Sequence, residues 1–193
     1  NLIASSLQAM GFDVIKLGLA TTPTTEIAVK TENAGGGIII TASHNPKNWN
    51  ALKLLNSRGE FLSSKDGEKI LDLANREEFI FSPVEELGTI TSISNYEDKH
   101  IDSILKLDLI NVPAIQSMNF RVAIDCVNSV GGIAIPKLLN RLGVIDIIDL
   151  YCVPNGDFPH NPEPLPENLT EISELIKKEK ADVGFVTDPD VDR

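Results

Sequence analysis

Twice in this sequence a short apolar run breaks off into polar, chemistry-bearing residues. GIIIT enters ASHNP across residues 37–46, and DVGFVT enters DPDVDR across 182–193. Such runs, rich in isoleucine, valine and phenylalanine, suit buried strands. Stretches of helical periodicity alternate with them. Leu2, Ile3, Leu7 and Met10 share one helical face ahead of Gly11. Thr22 reads as an N-cap with Pro23 at the first helical position, and another helix runs from about Ser63 to Asn75. Residues 95–109 place Ile101, Ile104 and Leu105 inward. Strands alternating with helices require a parallel or mixed sheet covered by helices.

The alternation then restarts. FRVAID, VIDIIDLY and DVGFVT read as strands, and IAIPKLLNRLG reads as a helix despite Pro136. PENLTEISELIKKEKA is a second helix, with acids early and lysines late as the helix dipole favours. Between the two series, INVPAIQSM has no periodicity and contains a proline, so a domain boundary is expected there. The expected fold class is α/β: two three-layer α/β/α domains with mixed sheets, over 1–112 and 113–193. Both are expected to be incomplete, because no strand precedes the first helix. Residues 76–95 read as a loop with short strands. The proline-rich stretch from Tyr151 to Asn168 is a long loop, the kind that is usually functional.

Composition narrows the function. The 17 basic and 28 acidic residues leave a net charge of −11 without a basic cluster, which argues against nucleic-acid binding. No apolar run approaches the ~20 residues of a membrane span. Residues 1–10 lack the basic start and cleavage site of a secretory signal, so a cytoplasmic protein is expected. Cys126 and Cys152, far apart in sequence and without zinc-site spacing, read as free thiols in a reducing compartment.

In DPDVDR, Asp188, Asp190 and Asp192 stand at alternate positions. In an extended segment such residues point the same way, so three carboxylates would converge. They would repel one another unless a cation sat between them, and their hard oxygens suit Mg²⁺. An EF-hand also opens D-x-D-x-D, but it needs glycine where Arg193 stands, and a helix rather than a strand before it. Ser43 also ends a strand, beside His44 and ten residues before Lys53. No aspartate is placed to orient His44 and there is no G-x-S-x-G elbow, so a hydrolase triad is disfavoured. A phosphorylated Ser43, with its added negative charge and oxygens, could complete the coordination of a metal held by the aspartates.

TASHNP followed by NALKLL, and then DPDVDR at a later strand end, resemble the α-D-phosphohexomutase family of phosphoglucomutases, phosphomannomutases and phosphoglucosamine mutases. GLATTPTTEIAV and NPEPLPENLTEI are similar as well, so the resemblance spans nearly the whole chain. It implies that Ser43 is the phosphorylated serine and a metal ligand through its phosphate. Asp188, Asp190 and Asp192 would bind Mg²⁺, Lys53 would assist proton transfer, and His44 and Arg193 would be active-site residues. The substrate implied is a phosphorylated hexose, and KNWNALKLLNSRGEFLS and CVNSVGGIAIP look most like a bacterial phosphoglucosamine-mutase branch. Pro189 stands where the family more often has glycine. The chain resembles only the later part of the first domain and most of the second, so it is expected to be a fragment, inactive by itself. The alternatives are a non-catalytic relative with the same fold, and a metal-dependent phosphatase with an aspartate nucleophile. The second would not need TASHNP.

Overall fold

The computed structural model describes residues 1–193. Its second half is built around β5 (Arg121–Asp125), flanked in a parallel sheet by β6 (Asp146–Leu150) and β7 (Val183–Val186). Val122, Ile124 and Cys126 face α6 (Gly131–Arg141) and pack with Leu139 and Val144. Across the sheet, Gly184 sits against Ile172 and Ile176 of α7 (Thr170–Glu179). Gly184 is in register with Ala123, so this second face is also covered. Residues buried on both faces explain why FRVAID reads as an apolar run without alternation, whereas in the edge strand β7 Val183 and Phe185 remain exposed. This half is a three-layer α/β/α unit.

The first half supplies the mixed sheet character. α1 (Leu2–Ala9) leads into β1 (Val14–Lys16), which pairs in parallel with β4 (Ile90–Ser92). α2 (Thr22–Thr31) covers one face of a hairpin formed by β2 (Gly37–Thr41) and β3 (Ala51–Leu55), through Val29, Ile39 and Leu55. The opposite face, with Ile38, Ile40 and Leu52, is exposed. The two strand pairs are not hydrogen-bonded to each other. α3 (Ser64–Arg76) is capped by Ser63, whose hydroxyl accepts from the Asp66 amide.

Several boundaries differ from the sequence reading. The cap of α2 is Thr21, whose hydroxyl accepts from Thr24 N at 3.1 Å, so Thr22 lies inside the helix. The segment without periodicity contains α5 (Val112–Met118), capped by Asn111 and carrying Pro113 in its first turn. A helix of two turns is too short to display a 3.6-residue period, although its cap and proline were present. α4 (Tyr96–Ile104) ends earlier than expected and bridges the halves: its Asp102 meets Arg141 of α6 at 2.6 Å. No helix is long and apolar enough to cross a membrane.

The start of α6 lies tightly against the end of β6. A Cβ on Gly132 would fall 2.0 Å from the Cys152 carbonyl oxygen, a backbone atom that cannot swing aside. Gly132→Ala should therefore lower the unfolding free energy by ~1–3 kcal/mol through overpacking. A urea denaturation curve superimposable on that of the parent chain would contradict this packing.

Candidate active site at the strand ends

Beyond β7 the chain stays attached to the sheet for one more residue, with Thr187 N donating to Asp125 O at 3.0 Å. It then turns. Val191 N donates to Asp188 O at 3.2 Å, and Asp192 N donates to Asp188 Oδ1 at 3.2 Å. Val191 has φ +61°, a left-handed conformation that is an outlier for a β-branched residue. The three carboxylates do converge, with oxygens within 4.8 Å of one another. The cause is this turn, and the extended alternation read from the sequence is corrected. Ser129 Oγ fixes the turn by donating to Pro189 O at 2.6 Å.

Asp188 and Asp190 are buried and Asp192 is exposed. Burial, then the neighbouring charges of Asp190 and Asp192, push the Asp188 carboxyl up to about 6. Asp188 Oδ2 and Asp190 Oδ1 are buried and have no hydrogen-bond partner. An uncompensated buried carboxylate oxygen is costly, and oxygens of this type suit a hard cation. The donor set therefore fits Mg²⁺, with all-oxygen ligands and two unmet buried acceptors.

Lys53 supplies the positive charge that the structure does contain. β3 pairs it opposite Ile39 and carries its ammonium to Asp190 Oδ2 at 2.6 Å and Asp192 Oδ2 at 2.7 Å. Burial works against the charge, but the two carboxylate hydrogen bonds outweigh it and hold the ammonium above the ordinary lysine range. Asp190 Oδ2 is also met by Thr22 Oγ1 at 2.6 Å, while Thr22 N donates to Asp190 O at 2.9 Å. Glu26, one turn further along α2, has its carboxyl raised by burial and then by Asp192.

Ser43 and His44 sit in the loop that leaves β2, at the hairpin end where Thr41 pairs with Ala51. Ser43 has φ +51°, with its amide donating to Thr41 Oγ1 at 2.8 Å. Its hydroxyl lies 3.2 Å from His44 Nδ1. Neither residue hydrogen-bonds to the aspartates. Strand rise limits the separation of Ser43 from the Ile39–Lys53 level to at most ~13 Å along β2. Arg193 turns elsewhere, pairing with Glu163 at 3.0 Å. Of the residues singled out in the sequence, the fold thus joins Lys53 to the aspartates. It keeps Ser43 and His44 as a separate pair beyond the Thr41–Ala51 end of the hairpin, and commits Arg193 to the proline-rich loop.

Sequence reading missed the groups that hold these pieces. Thr21 N and Thr24 Oγ1 donate to the buried Glu97 at 3.2 and 3.3 Å, and Thr24 Oγ1 lies 2.8 Å from His100 Nδ1. His160 Nε2 lies 2.9 Å from Asp125 Oδ2, and His160 Nδ1 lies 2.8 Å from Asn161 O. The signal for the first set was TTPTT, which has more hydroxyls than one helix cap needs. The second set pairs residues far apart in sequence and had no local signal.

Residues 1–81 match the family described as phosphoglucomutase/phosphomannomutase, alpha/beta/alpha domain I, and residues 98–193 match its alpha/beta/alpha domain II. A probable phosphoglucosamine mutase of Methanosphaera stadtmanae is 36% identical over the whole chain, which covers 42% of that protein. A phosphoglucomutase/phosphomannomutase of Thermococcus kodakarensis is 35% identical over 99% of the chain and 41% of its own length. Among solved structures, a phosphoglucomutase/phosphomannomutase family protein of Burkholderia thailandensis superposes with a TM-score of 0.79 at 25% identity. That match covers 97% of this chain and 40% of that one. The chain thus spans about two fifths of the length of these curated relatives.

Lys53→Met tests the charge balance directly. It leaves Asp190 and Asp192 without their cation and should cost about 3 kcal/mol of stability in chelator-treated protein. Millimolar Mg²⁺ should recover most of that loss. Equal unfolding midpoints for Lys53→Met and the parent chain, with and without Mg²⁺, would show that the ammonium does not balance these carboxylates.

Proposed function

The chain belongs to the phosphoglucomutase/phosphomannomutase family, and from that premise we propose that it is part of a phosphohexomutase. The enzyme would interconvert hexose 1-phosphates and hexose 6-phosphates. A glucosamine phosphate is the favoured substrate, on the naming of the Methanosphaera relative. The observation that carries this reading is the cluster of three converging aspartates with unmet buried oxygens, set against Lys53 at a strand end. We read 1–112 and 113–193 as the two domains that contribute to the site, and the cytoplasm as its compartment, where phosphorylated sugars and reduced thiols coexist.

In this reading Ser43 carries the phosphoryl group. Its Oγ–P bond breaks as a free hydroxyl of the sugar monophosphate attacks phosphorus, and the hydroxyl proton passes to a neighbouring base. The resulting bisphosphate turns over in the cleft, and its other phosphate returns to Ser43, releasing the isomer. His44, with Nδ1 3.2 Å from Ser43 Oγ, would exchange the serine proton. Asp188, Asp190 and Asp192 would hold Mg²⁺, which when bound supplies charge neutralisation for the transferring phosphoryl group. Lys53 donates hydrogen bonds at the same place and can serve the incoming phosphate once it is released from the carboxylates. Arg193, now paired with Glu163, would have to leave that partner to reach the phosphoryl group. Positioning and charge neutralisation dominate phosphoryl transfer, and these residue types supply both.

Ser43→Ala in the longer protein should abolish turnover of glucosamine 6-phosphate, glucose 1-phosphate and mannose 1-phosphate, even with catalytic bisphosphate added. The isolated 193-residue chain should show no measurable turnover, because groups that grip the remote end of the substrate contribute to rate as well as affinity. Mass spectrometry of protein exposed to the bisphosphate should place phosphate on Ser43. Phosphate on Asp188, or near-normal turnover by Ser43→Ala, would overturn the reading.

A further inference from the structure

The fold brings together two thiols that the sequence keeps far apart. β5 and β6 are parallel neighbours, with Asp125 opposite Leu150. Cys126 directly follows β5, and Cys152 follows β6 by two residues, after Tyr151 in a left-handed turn. One carbonyl oxygen, that of Leu150, accepts from both Cys126 N and Cys152 Sγ at 3.3 Å. Cys152 packs on the core cluster that contains Cys126. The first turn of α6 presses on both: a Cβ on Gly131 would lie 3.2 Å from Cys126 Cβ, and one on Gly132 would lie 2.9 Å from Cys152 Cα. A disulfide needs Cα atoms within about 7 Å. Neighbouring strands lie about 4.8 Å apart, and both cysteines follow the ends of one such pair and pack in one core cluster.

We propose that Cys126 and Cys152 are a redox site that closes to a reversible intramolecular disulfide when the protein meets a hydroperoxide. Cys152 is partly exposed and Cys126 is fully buried, which sets the order of events. The Cys126 thiol is pushed far up, first by the neighbouring Cys152 and then by burial, so it retains its proton. Cys152 sulfur therefore attacks the peroxide. The O–O bond breaks, sulfur is oxidised by two electrons to a sulfenic acid, and the peroxide is reduced to an alcohol or water. Cys126 sulfur then attacks the sulfenic sulfur from below. The S–S bond forms, the S–O bond breaks, and the Cys126 proton leaves with the hydroxyl as water. The bond closes at the carboxyl ends of β5 and β6, the edge from which the acidic turn also departs. It does not depend on the mutase reading.

Hydrogen peroxide on the purified chain is the probe. Intact-mass spectrometry should show loss of two hydrogens, denaturing thiol titration should fall from two thiols to none, and dithiothreitol should restore both. A peptide map should join the segments that carry Cys126 and Cys152. Cys126→Ala should stop at a sulfenic acid on Cys152 that dimedone traps. Cys152→Ala should leave the Cys126 thiol unreacted. The wild-type map is decisive even if a variant fails to fold. Two intact thiols after exposure, a dimer linked through Cys152, or sulfinic acid on Cys152 beside a free Cys126 would each overturn the proposal.

Discussion

The carboxylate of Asp190 is the constraint on which the rest of this site depends. One of its oxygens is shared by Thr22 from the first half of the chain and by Lys53 from the β2–β3 hairpin, while its own backbone carbonyl accepts from Thr22 N. A buried charge is tolerated only when it is paired and hydrogen-bonded, and losing one partner of a buried pair costs far more than an exposed pair contributes. The acidic turn of the second half can therefore be buried only while α2 and β3 stay docked against it. Removing those contacts would leave Asp190 with two unmet oxygens, where it now has one. The same arrangement that gathers the proposed cation ligands thus also fixes how the two halves meet.

Peripheral contacts reinforce that docking without governing it. Lys47 in the serine loop meets Asp157 in the proline-rich loop at 2.8 Å, but both side chains are largely exposed, so the pair contributes little. The His160–Asp125 contact is of another kind. Asp125 is buried at the end of the central strand, and both nitrogens of His160 are engaged. The proline-rich loop is consequently held at the sheet rather than free. Asn128 adds a second tie, donating from its side chain to Asp157 O at 3.0 Å.

How much of this could be read from the sequence depended on whether the cause was local. Apolar runs are local, so the alternation of strands and helices, the helix beginning near Ser63, and strands that give way to polar residues after GIIIT and DVGFVT were legible. α5 was not, because seven residues cannot show a helical period. The clustering of Asp188, Asp190 and Asp192 was legible from their spacing, but its geometry was misread: a turn with Val191 at positive φ replaces an extended strand. Lys53 was identified through a family resemblance, and its place against Asp190 follows from strand register. Thr22, Glu97 and His160 act through partners 168, 76 and 35 residues away, and no window of sequence carries that information.

Backbone strain falls on both loops that carry the proposed chemistry. Ser43 and Val191 are non-glycine residues in the left-handed region, a conformation that costs of order 1–3 kcal/mol for such side chains and persists only where the surroundings over-determine it. At Ser43 the surroundings are the Thr41 hydroxyl on its amide and His44 on its hydroxyl. At Val191 they are the Asp188 carbonyl on its own amide, and Thr22 and Lys53 gripping Asp190 just before it. Relaxing either residue to an ordinary φ would redirect the chain at the serine or at the last aspartate. Each strained residue is therefore held by the same contacts that place the charged and nucleophilic groups. The aim of Ser43 and of the carboxylates is set by the folded structure before any ligand arrives, and the proposed phosphoryl transfer would draw on that preorganisation.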